Sequence, residues 1–417
     1  MKIPIFYGWW IVFACFTIAL YVSSIIFFGF TALFEPLVRE FGWSYTQVSF
    51  AASLRGLEMG ILAPVIGYLV DRFGSRKLML VGSVTVGLGL VMLGFTHTLF
   101  TFYGAIILIS LGAGGCTTVV TTTVLAQWFR RKIGMAIGIM SSGFGAGGLL
   151  IPFVVLLVDT YGWRSAVIVF GLGMWILGIP LSLMVRDRPE PYGLLPDGDT
   201  FPLETIGVEQ AGGASGKSFR DLLRVRGFWC LGCAEAIRFM VLMGVVIHIM
   251  PYLATVGMSR TAGGFVAAAI PLVSIAGRLT VGWLGDIFSK RVIMASAFIA
   301  MAAGTLALHA AGSGVGIVLF LVLFSVSIGG ITVLRGSLIR EYFGRESFGR
   351  IIGIVMGCAA LGGVVGPTIT GFVYDTTGDY HHVWTWFAGC LFMTVMLVVM
   401  IGRKPSEVPL SVTSEKT

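Results

Sequence analysis

One arginine lies where a membrane-spanning helix tolerates it least. The stretch Ile270-Pro-Leu-Val-Ser-Ile-Ala-Gly-Arg-Leu-Thr-Val-Gly-Trp-Leu-Gly-Asp286 reads as a span, and Arg278 sits inside it with no carboxylate within a turn or two. A charge at bilayer depth costs at least ~2.5–3.5 kcal/mol. A chain keeps such a group when it faces a cavity, an ion pair or an anionic ligand. A guanidinium stays charged and offers a planar fork that matches a carboxylate. The expectation is that Arg278 holds a small carboxylate in a central cavity. The plainer alternative pairs it with Glu58 or Glu235 across the bundle interface.

Other ionisable residues fall inside apolar segments. Arg55 and Glu58 are three apart, as are Glu235 and Arg238, so each pair shares a helix face within ion-pair reach. Either these pairs neutralise themselves, or Glu58 or Glu235 accepts a proton with its arginine as tuner. Glu58 is nearer mid-helix and ranks first. Arg335 lies about one and a half turns from the next loop, close enough to snorkel there or to act in gating. His248 and Tyr252 are one turn apart beside Pro251 and offer a proton relay or a donor to a carboxylate. The alternative for His248 is a satisfied core histidine. Phe27 and Phe28 are candidates for apolar cavity walls, and Thr117 and Ser142 for small polar contacts. His381-His382, with Asp375 and Asp379 nearby, offers only a weak metal site. Cys230-Leu-Gly-Cys233 lacks the second ligand pair that zinc needs. No metal and no cofactor are expected.

The scaffold for these residues is legible in composition. The chain has 417 residues, 56% hydrophobic and 12% charged, with a mean hydropathy of +0.93. Soluble domains carry about 25% charged residues. Apolar runs of spanning length that do not alternate indicate an α-helical polytopic membrane protein and exclude an outer-membrane barrel. Met1-Lys2-Ile3-Pro4 leads straight into a span, so no cleavable signal is expected. The six cysteines fall within predicted helices and read as free thiols. There is no Gly-Lys-Ser/Thr phosphate loop and no hydrolytic triad or metalloprotease pattern, so neither an ATP-driven pump nor an enzyme is expected.

The runs predict twelve helices, over 8–31, 46–70, 76–96, 101–125, 133–157, 164–185, 228–253, 263–285, 290–311, 314–337, 349–374 and 382–402. The longest polar break, with Arg186-Asp-Arg-Pro-Glu-Pro-Tyr-Gly-Leu-Leu-Pro-Asp-Gly198 and Ala211-Gly-Gly-Ala-Ser-Gly216, reads as a flexible linker. The expected organisation is a six-helix bundle over 1–186, a linker over 187–226, a second bundle over 227–404 and a tail over 405–417. Placing both termini in the cytoplasm puts twenty-one Lys and Arg residues on that side, three outside and four within helices. That bias sets the orientation and accounts for the net charge of +8 without a nucleic-acid partner.

The two halves repeat. Gly67-Tyr-Leu-Val-Asp-Arg-Phe-Gly-Ser-Arg-Lys-Leu-Met79 follows helix two, and Gly282-Trp-Leu-Gly-Asp-Ile-Phe-Ser-Lys-Arg-Val-Ile-Met294 follows helix eight. An offset of 215 relates them and also maps Gly134 to Gly349, Gly138 to Gly353, Gly147 to Gly362 and Pro152 to Pro367. Parallel repeats of this kind build transporters whose halves rock. The glycine runs on helices five and eleven read as seams for close packing against helices two and eight. At this offset Arg278 corresponds to Ala63, so the charge breaks the symmetry.

The Gly67 to Lys77 loop resembles the signature of the major facilitator superfamily. Trp128-Phe-Arg-Arg-Lys-Ile-Gly-Met-Ala-Ile-Gly-Ile-Met-Ser-Ser-Gly-Phe-Gly-Ala-Gly147 is similar to the fifth-helix signature of its monocarboxylate transporter branch, and Tyr7-Gly-Trp-Trp-Ile11 to that branch's first-helix entry. The linker resembles that of the bacterial monocarboxylate and oxalate/formate antiporter group. The resemblance implies the major facilitator fold, substrate contact by Arg278, and gating by Asp71, Arg72, Arg76, Lys77, Asp286 and Arg291. The chain departs from the family in three places. Ser274 stands where animal members carry a proton-coupling aspartate, and helices one and eleven lack the lysines kept in parts of the branch.

The expected function is a cytoplasmic-membrane secondary transporter moving a small monocarboxylate such as lactate or pyruvate, with a proton, as a functional monomer. Its partners would be the acid, H+ and membrane lipid. The alternatives are an anion exchanger, an exporter of larger amphiphilic acids, or a sensor that binds without transporting.

Overall fold

The computed structural model describes residues 6–43, 47–48, 62–198, 225–345 and 347–401. The regular structure among them is helical, with no strand. In the first half the helices are α1 (Tyr7–Val22), α2 (62–73), α3 (Ser75–Gly94), α4 (Leu99–Trp128), α5 (Ile133–Tyr161) and α6 (Trp163–Met184). In the second half they are α7 (Arg226–Thr255), α8 (Arg260–Ile287), α9 (Lys290–Ala307), α10 (Gly314–Phe343), α11 (Phe348–Thr377) and α12 (His381–Val399). Eleven helices among the described residues are long and apolar enough to span a bilayer. Most of the predicted second span lies outside the described residues, and α2 is its end. Exposed Leu361, Phe265, Ile176 and Met396 form a surface suited to lipid.

The sequence explains where the helices start, stop and bend. Thr98 caps α4 in a reciprocal box with Thr101, and Ser259 caps α8 through the Ala262 N–H. Thr117 interrupts α4 with an extended backbone, φ −103° and ψ −169°. The α2–α3 corner needs φ +86° at Gly74, a conformation a side chain would strain. Single π turns widen α1 at Ser23–Phe28 and α6 at Met174–Gly178.

The chain departs from the sequence-based expectation in two places. Beyond the π turn, α1 continues as an amphipathic helix, Phe30–Phe41, ending at left-handed Gly42. Glu40 on this extension accepts from the Trp163 Nε1–H at 2.6 Å and pairs with Arg164 at 3.0 Å, tying α1 to the start of α6. The described part of the linker is also anchored. Asp197 accepts from the backbone N–H groups of Arg130 and Arg131 at 3.0 and 2.7 Å. Arg186 lies between the Tyr7 and Tyr192 rings, and Glu190 pairs with Arg345 of the other half. Residues 199–224, including the Gly/Ser-rich piece, lie outside the described residues.

The halves meet at the Lys/Arg-rich end through glycine. A Cβ on Gly138 of α5 would lie 2.5 Å from the Arg278 carbonyl oxygen on α8, and a Cβ on Gly353 of α11 would lie 2.5 Å from the Ala63 carbonyl oxygen on α2. Gly134 packs against Gly282 and Gly349 against Gly67 with equally little room. All four pairs obey the offset of 215. Within the halves, Gly143 and Gly147 of α5 pack on α1, and Gly362 and Gly366 of α11 pack on α7. The described contacts between halves involve the basic-end segments of α4, α5, α8, α10 and α11 with α2, so the structure is closed at that end.

Candidate substrate site and gate

The gate is built from two carboxylates, each on the opposite half's helix terminus. Asp71, in the last turn of α2, accepts from the Gly349 and Arg350 N–H groups at 2.9 Å each, at the start of α11. Asp286, near the end of α8, accepts from the Gly134 and Met135 N–H groups at 2.7 and 2.8 Å, at the start of α5. A helix N-terminus presents unpaired N–H groups and the positive end of its dipole, which favours a carboxylate. Arg350 adds an ion pair to Asp71 at 3.4 Å.

Arg72 and Arg76 make contacts within their own half. Arg72 donates to the Tyr68 hydroxyl at 3.2 Å and lies over Phe73. The Arg76 N–H donates to Asp187 at 2.9 Å. Lys77 and Arg291 flank the same corners at the starts of α3 and α9.

Burial pushes the Asp71 carboxyl up to about 6, against the opposing pull of its backbone N–H donors and Arg350. This sets the sign of a pH effect. A carboxyl whose value is raised in the closed state binds its proton more tightly there. Its contribution to closure is therefore complete below the ordinary value of 3.8 and lost as pH rises through about 6. Acidifying the basic-end compartment across this window should increase the closed population, and Asp71→Asn should remove the response. The distance between spectroscopic labels on the basic ends of α4 and α10, followed against pH, tests this. An unchanged pH response in the Asn variant would refute it.

Deeper in the protein, Arg278 bridges the halves. Its Nη1 donates to the Ser141 carbonyl on α5, and Gly145 of α5 leaves the space for this approach. The side chain is half-buried, and its Nε is buried without a partner. Neither Glu235 nor any other described carboxylate pairs with it. Ser142 sits beside this contact, with its hydroxyl donated to the Gly138 carbonyl at 2.7 Å. Ser274, one turn before Arg278, donates to the Pro271 carbonyl at 2.7 Å.

Glu235 and Arg238 on α7 form the expected pair, with Oε2 accepting from Nη2 at 2.7 Å and from Nε at 3.1 Å. A third member is Arg335 of α10, whose Nη1 donates to the same Oε2 at 3.1 Å. All three side chains are at most 2% exposed. This corrects one expectation for Arg335: it does not snorkel to a loop, because it pairs with a carboxylate inside the bundle. It also gives Glu235 two guanidinium partners and so the part of a counter-ion. Arg238 lies close enough to Arg278 for their charges to repel.

His248 and Tyr252 are placed elsewhere. Tyr252 donates to the Leu308 carbonyl and packs edge-on against Tyr380 and Trp384, while His248 meets the Tyr380 hydroxyl at 3.4 Å. They belong to an aromatic cluster joining α7, α9 and α12 at the end opposite the gate, and no described contact links them to Arg278. Pro251 and the aromatic run around Trp384 were the available signal for a packing role. Thr117 donates to the Gly114 carbonyl at the α4 break. The backbone of Phe27 and Phe28 lies in the π turn of α1, next to the Ser23 that packs on Gly147. Their side chains, and the whole of Arg55 and Glu58, lie outside the described residues. His381 pairs with Asp379 at 2.6 Å, and Cys230 is buried while Cys233 is exposed, both free thiols.

Two helical bundles related by a repeat, closed at one end by symmetric latches around buried charge, define a secondary transporter. The comparisons identify its family. The sequence profile of the Major Facilitator Superfamily matches residues 12–259 and 239–416, and the chain belongs to that family. Among its relatives are monocarboxylate transporters. Monocarboxylate transporter 4 of Rattus norvegicus is 26% identical over 98% of this chain and 88% of its own length. Monocarboxylate transporter 2 of Homo sapiens is 23% identical over 95% and 86%. Solved structures share the fold. A proton:xylose symporter superposes with a TM-score of 0.74 at 16% identity, covering 95% of each chain. A human organic anion transporter gives 0.70 at 14% identity, covering 94% of this chain and 99% of its own.

Proposed function

We propose that this protein moves a small monocarboxylate of the lactate or pyruvate kind across the cytoplasmic membrane by alternating access, with its basic end in the cytoplasm. The observation that carries this reading is Arg278: a guanidinium at the interface between halves, held by one backbone carbonyl, with a buried Nε still open. The sequence relatives named as monocarboxylate transporters support the substrate class.

The mechanism follows from what Arg278 touches. A carboxylate that takes both prongs of its guanidinium competes with the Ser141 carbonyl. Substrate binding thereby exchanges a contact between halves for a contact to the ligand. The glycine seams let α5 slide on α8 and α11 on α2, and the Asp71 and Asp286 latches release as the basic end opens.

Proton coupling is part of the proposal, with Glu58 its remaining acidic candidate. A second reading, anion exchange, is favoured by one observation: Glu235 is already shared by two arginines, whose charges oppose its taking a proton. Counterflow of labelled lactate in proteoliposomes separates the two. Symport predicts net uptake driven by an inward proton gradient, whereas exchange predicts uptake only against internal acid. Binding of the acid without either flux would mean a sensor and would sink both readings.

A further inference from the structure

Among the described residues, the Glu235–Arg238–Arg335 cluster carries more positive charge than its neighbours compensate. One carboxylate faces two guanidiniums, so a net positive charge is enclosed where every side chain is at most 2% exposed. The face of Phe239, 4.6 Å from the Arg238 guanidinium carbon, compensates only part of it. Buried charges ordinarily occur paired, because an unpaired one loses its hydration without replacement. Three polar atoms are also left over. Arg238 Nη1, Arg335 Nε and Glu235 Oε1 are buried with no hydrogen-bond partner among the described residues. Two of the three are N–H donors on separate helices, α7 and α10, so the surplus is of donors as well as of charge.

We propose that Arg238 and Arg335 form a second anion-binding subsite, distinct from Arg278, in which Glu235 is the built-in occupant and an incoming anion supplies the missing negative charge. Its ligand is a compact anionic group able to accept from guanidinium N–H. That group is either the second carboxylate of a substrate whose first carboxylate lies at Arg278, or a separate small anion such as chloride. The subsite rests on the cluster's own geometry and charge; only the two-carboxylate form of its ligand also rests on the reading of Arg278. Glu235 fixes the spacing of the two arginines: its Oε2 receives three N–H bonds, two from Arg238 and one from Arg335. It also limits affinity, because any entering anion meets its charge.

This gives opposite signs for two variants, which a purely structural ion triad would not. The purified full-length protein is titrated with chloride, propionate and malonate, and the ligand-dependent rise in melting temperature is converted to an apparent Kd. In the native protein, chloride or malonate should bind at the subsite, malonate responding where propionate does not if the second carboxylate is the ligand. Arg238→Gln keeps Glu235 paired with Arg335 and should weaken that anion at least about tenfold. Glu235→Gln removes the competing charge and should tighten it by a similar factor, even though this variant is expected to be less stable without anion. Arg278→Gln separates the proposals: chloride binding should survive it, while propionate binding should not. The subsite is disproved if neither chloride nor malonate stabilises the native protein beyond propionate, or if Glu235→Gln and Arg238→Gln weaken anion binding alike. Should Arg238→Gln fail to fold, Arg335→Gln serves in its place, since it likewise leaves one arginine for Glu235.

Discussion

Arg278→Ala should abolish counterflow of the transported acid. The variant removes the fork proposed to hold the carboxylate and the link from α8 to the Ser141 carbonyl of α5. Truncating one partner of a buried, hydrogen-bonded charge pair costs about 2–5 kcal/mol, which is a loss of roughly thirtyfold or more in affinity. Arg278→Lys retains a positive charge but offers a point in place of a fork, so it should bind and transport at a level between the two. Binding by melting-temperature shift and movement by counterflow, measured on the same preparations, separate a lost contact from a lost fold. Normal transport by the Ala variant would remove Arg278 from the centre of the mechanism.

The second large effect concerns glycine at the gate. Gly134→Ala places a methyl group inside contact distance of the Gly282 carbonyl oxygen, and Gly349→Ala does the same at Gly67. The two carbonyls are backbone, which cannot swing aside, and at Gly349 the Val70 side chain and Asp71 Oδ1 lie nearer still. Overpacking typically costs 1–3 kcal/mol, and here the cost falls on the basic-end-closed state alone. The equilibrium should shift toward opening at that end by roughly 5- to 150-fold, and transport should fall because one half of the cycle is disfavoured. Gly148→Ala is the control, since a Cβ there meets nothing within 4 Å. Label distances between α4 and α10 read the shift. Unchanged distances in Gly134→Ala would show that the seam yields.

Much of this architecture was legible because a bilayer permits so few solutions. Backbone polar groups must be satisfied within each span, so long apolar runs become helices with little ambiguity. The internal repeat then carried more detail than any single motif. Its offset related Gly134 to Gly349, Gly138 to Gly353 and Asp71 to Asp286, and these residues form the two symmetric contacts of the gate.

What stayed hidden shares one cause: the partner leaves no trace at the position where it acts. Arg335 meets Glu235 across 100 residues, and no local spacing announces it. Arg278 bonds to a backbone carbonyl, which every residue possesses. The α1 extension was missed because its charges and Pro36 end the hydropathy signal, although its Glu40 finds Trp163 and Arg164. His248 and Tyr252 were attractive as isolated polar groups and turned out to be neighbours of Tyr380 and Trp384.

The two gate carboxylates have a genetic consequence. The partners of Asp71 and Asp286 are mainly main-chain N–H groups, which no point mutation deletes short of proline. Drift of the side chains at Met135 and Arg350 leaves their N–H donors in place, whereas Gly134 and Gly349 must stay glycine for want of room. The same fact narrows the routes back from damage. A lost Lys290–Glu341 pair, 2.8 Å apart at the ends of α9 and α10, can be restored by reversing both charges. A lost Asp71 or Asp286 cannot be restored by charge reversal, because a helix N-terminus has no opposite-signed allele. Suppressors of Asp71 variants should therefore arise as true revertants or as changes that weaken closure of the opposite face, and not as compensating charges on α11.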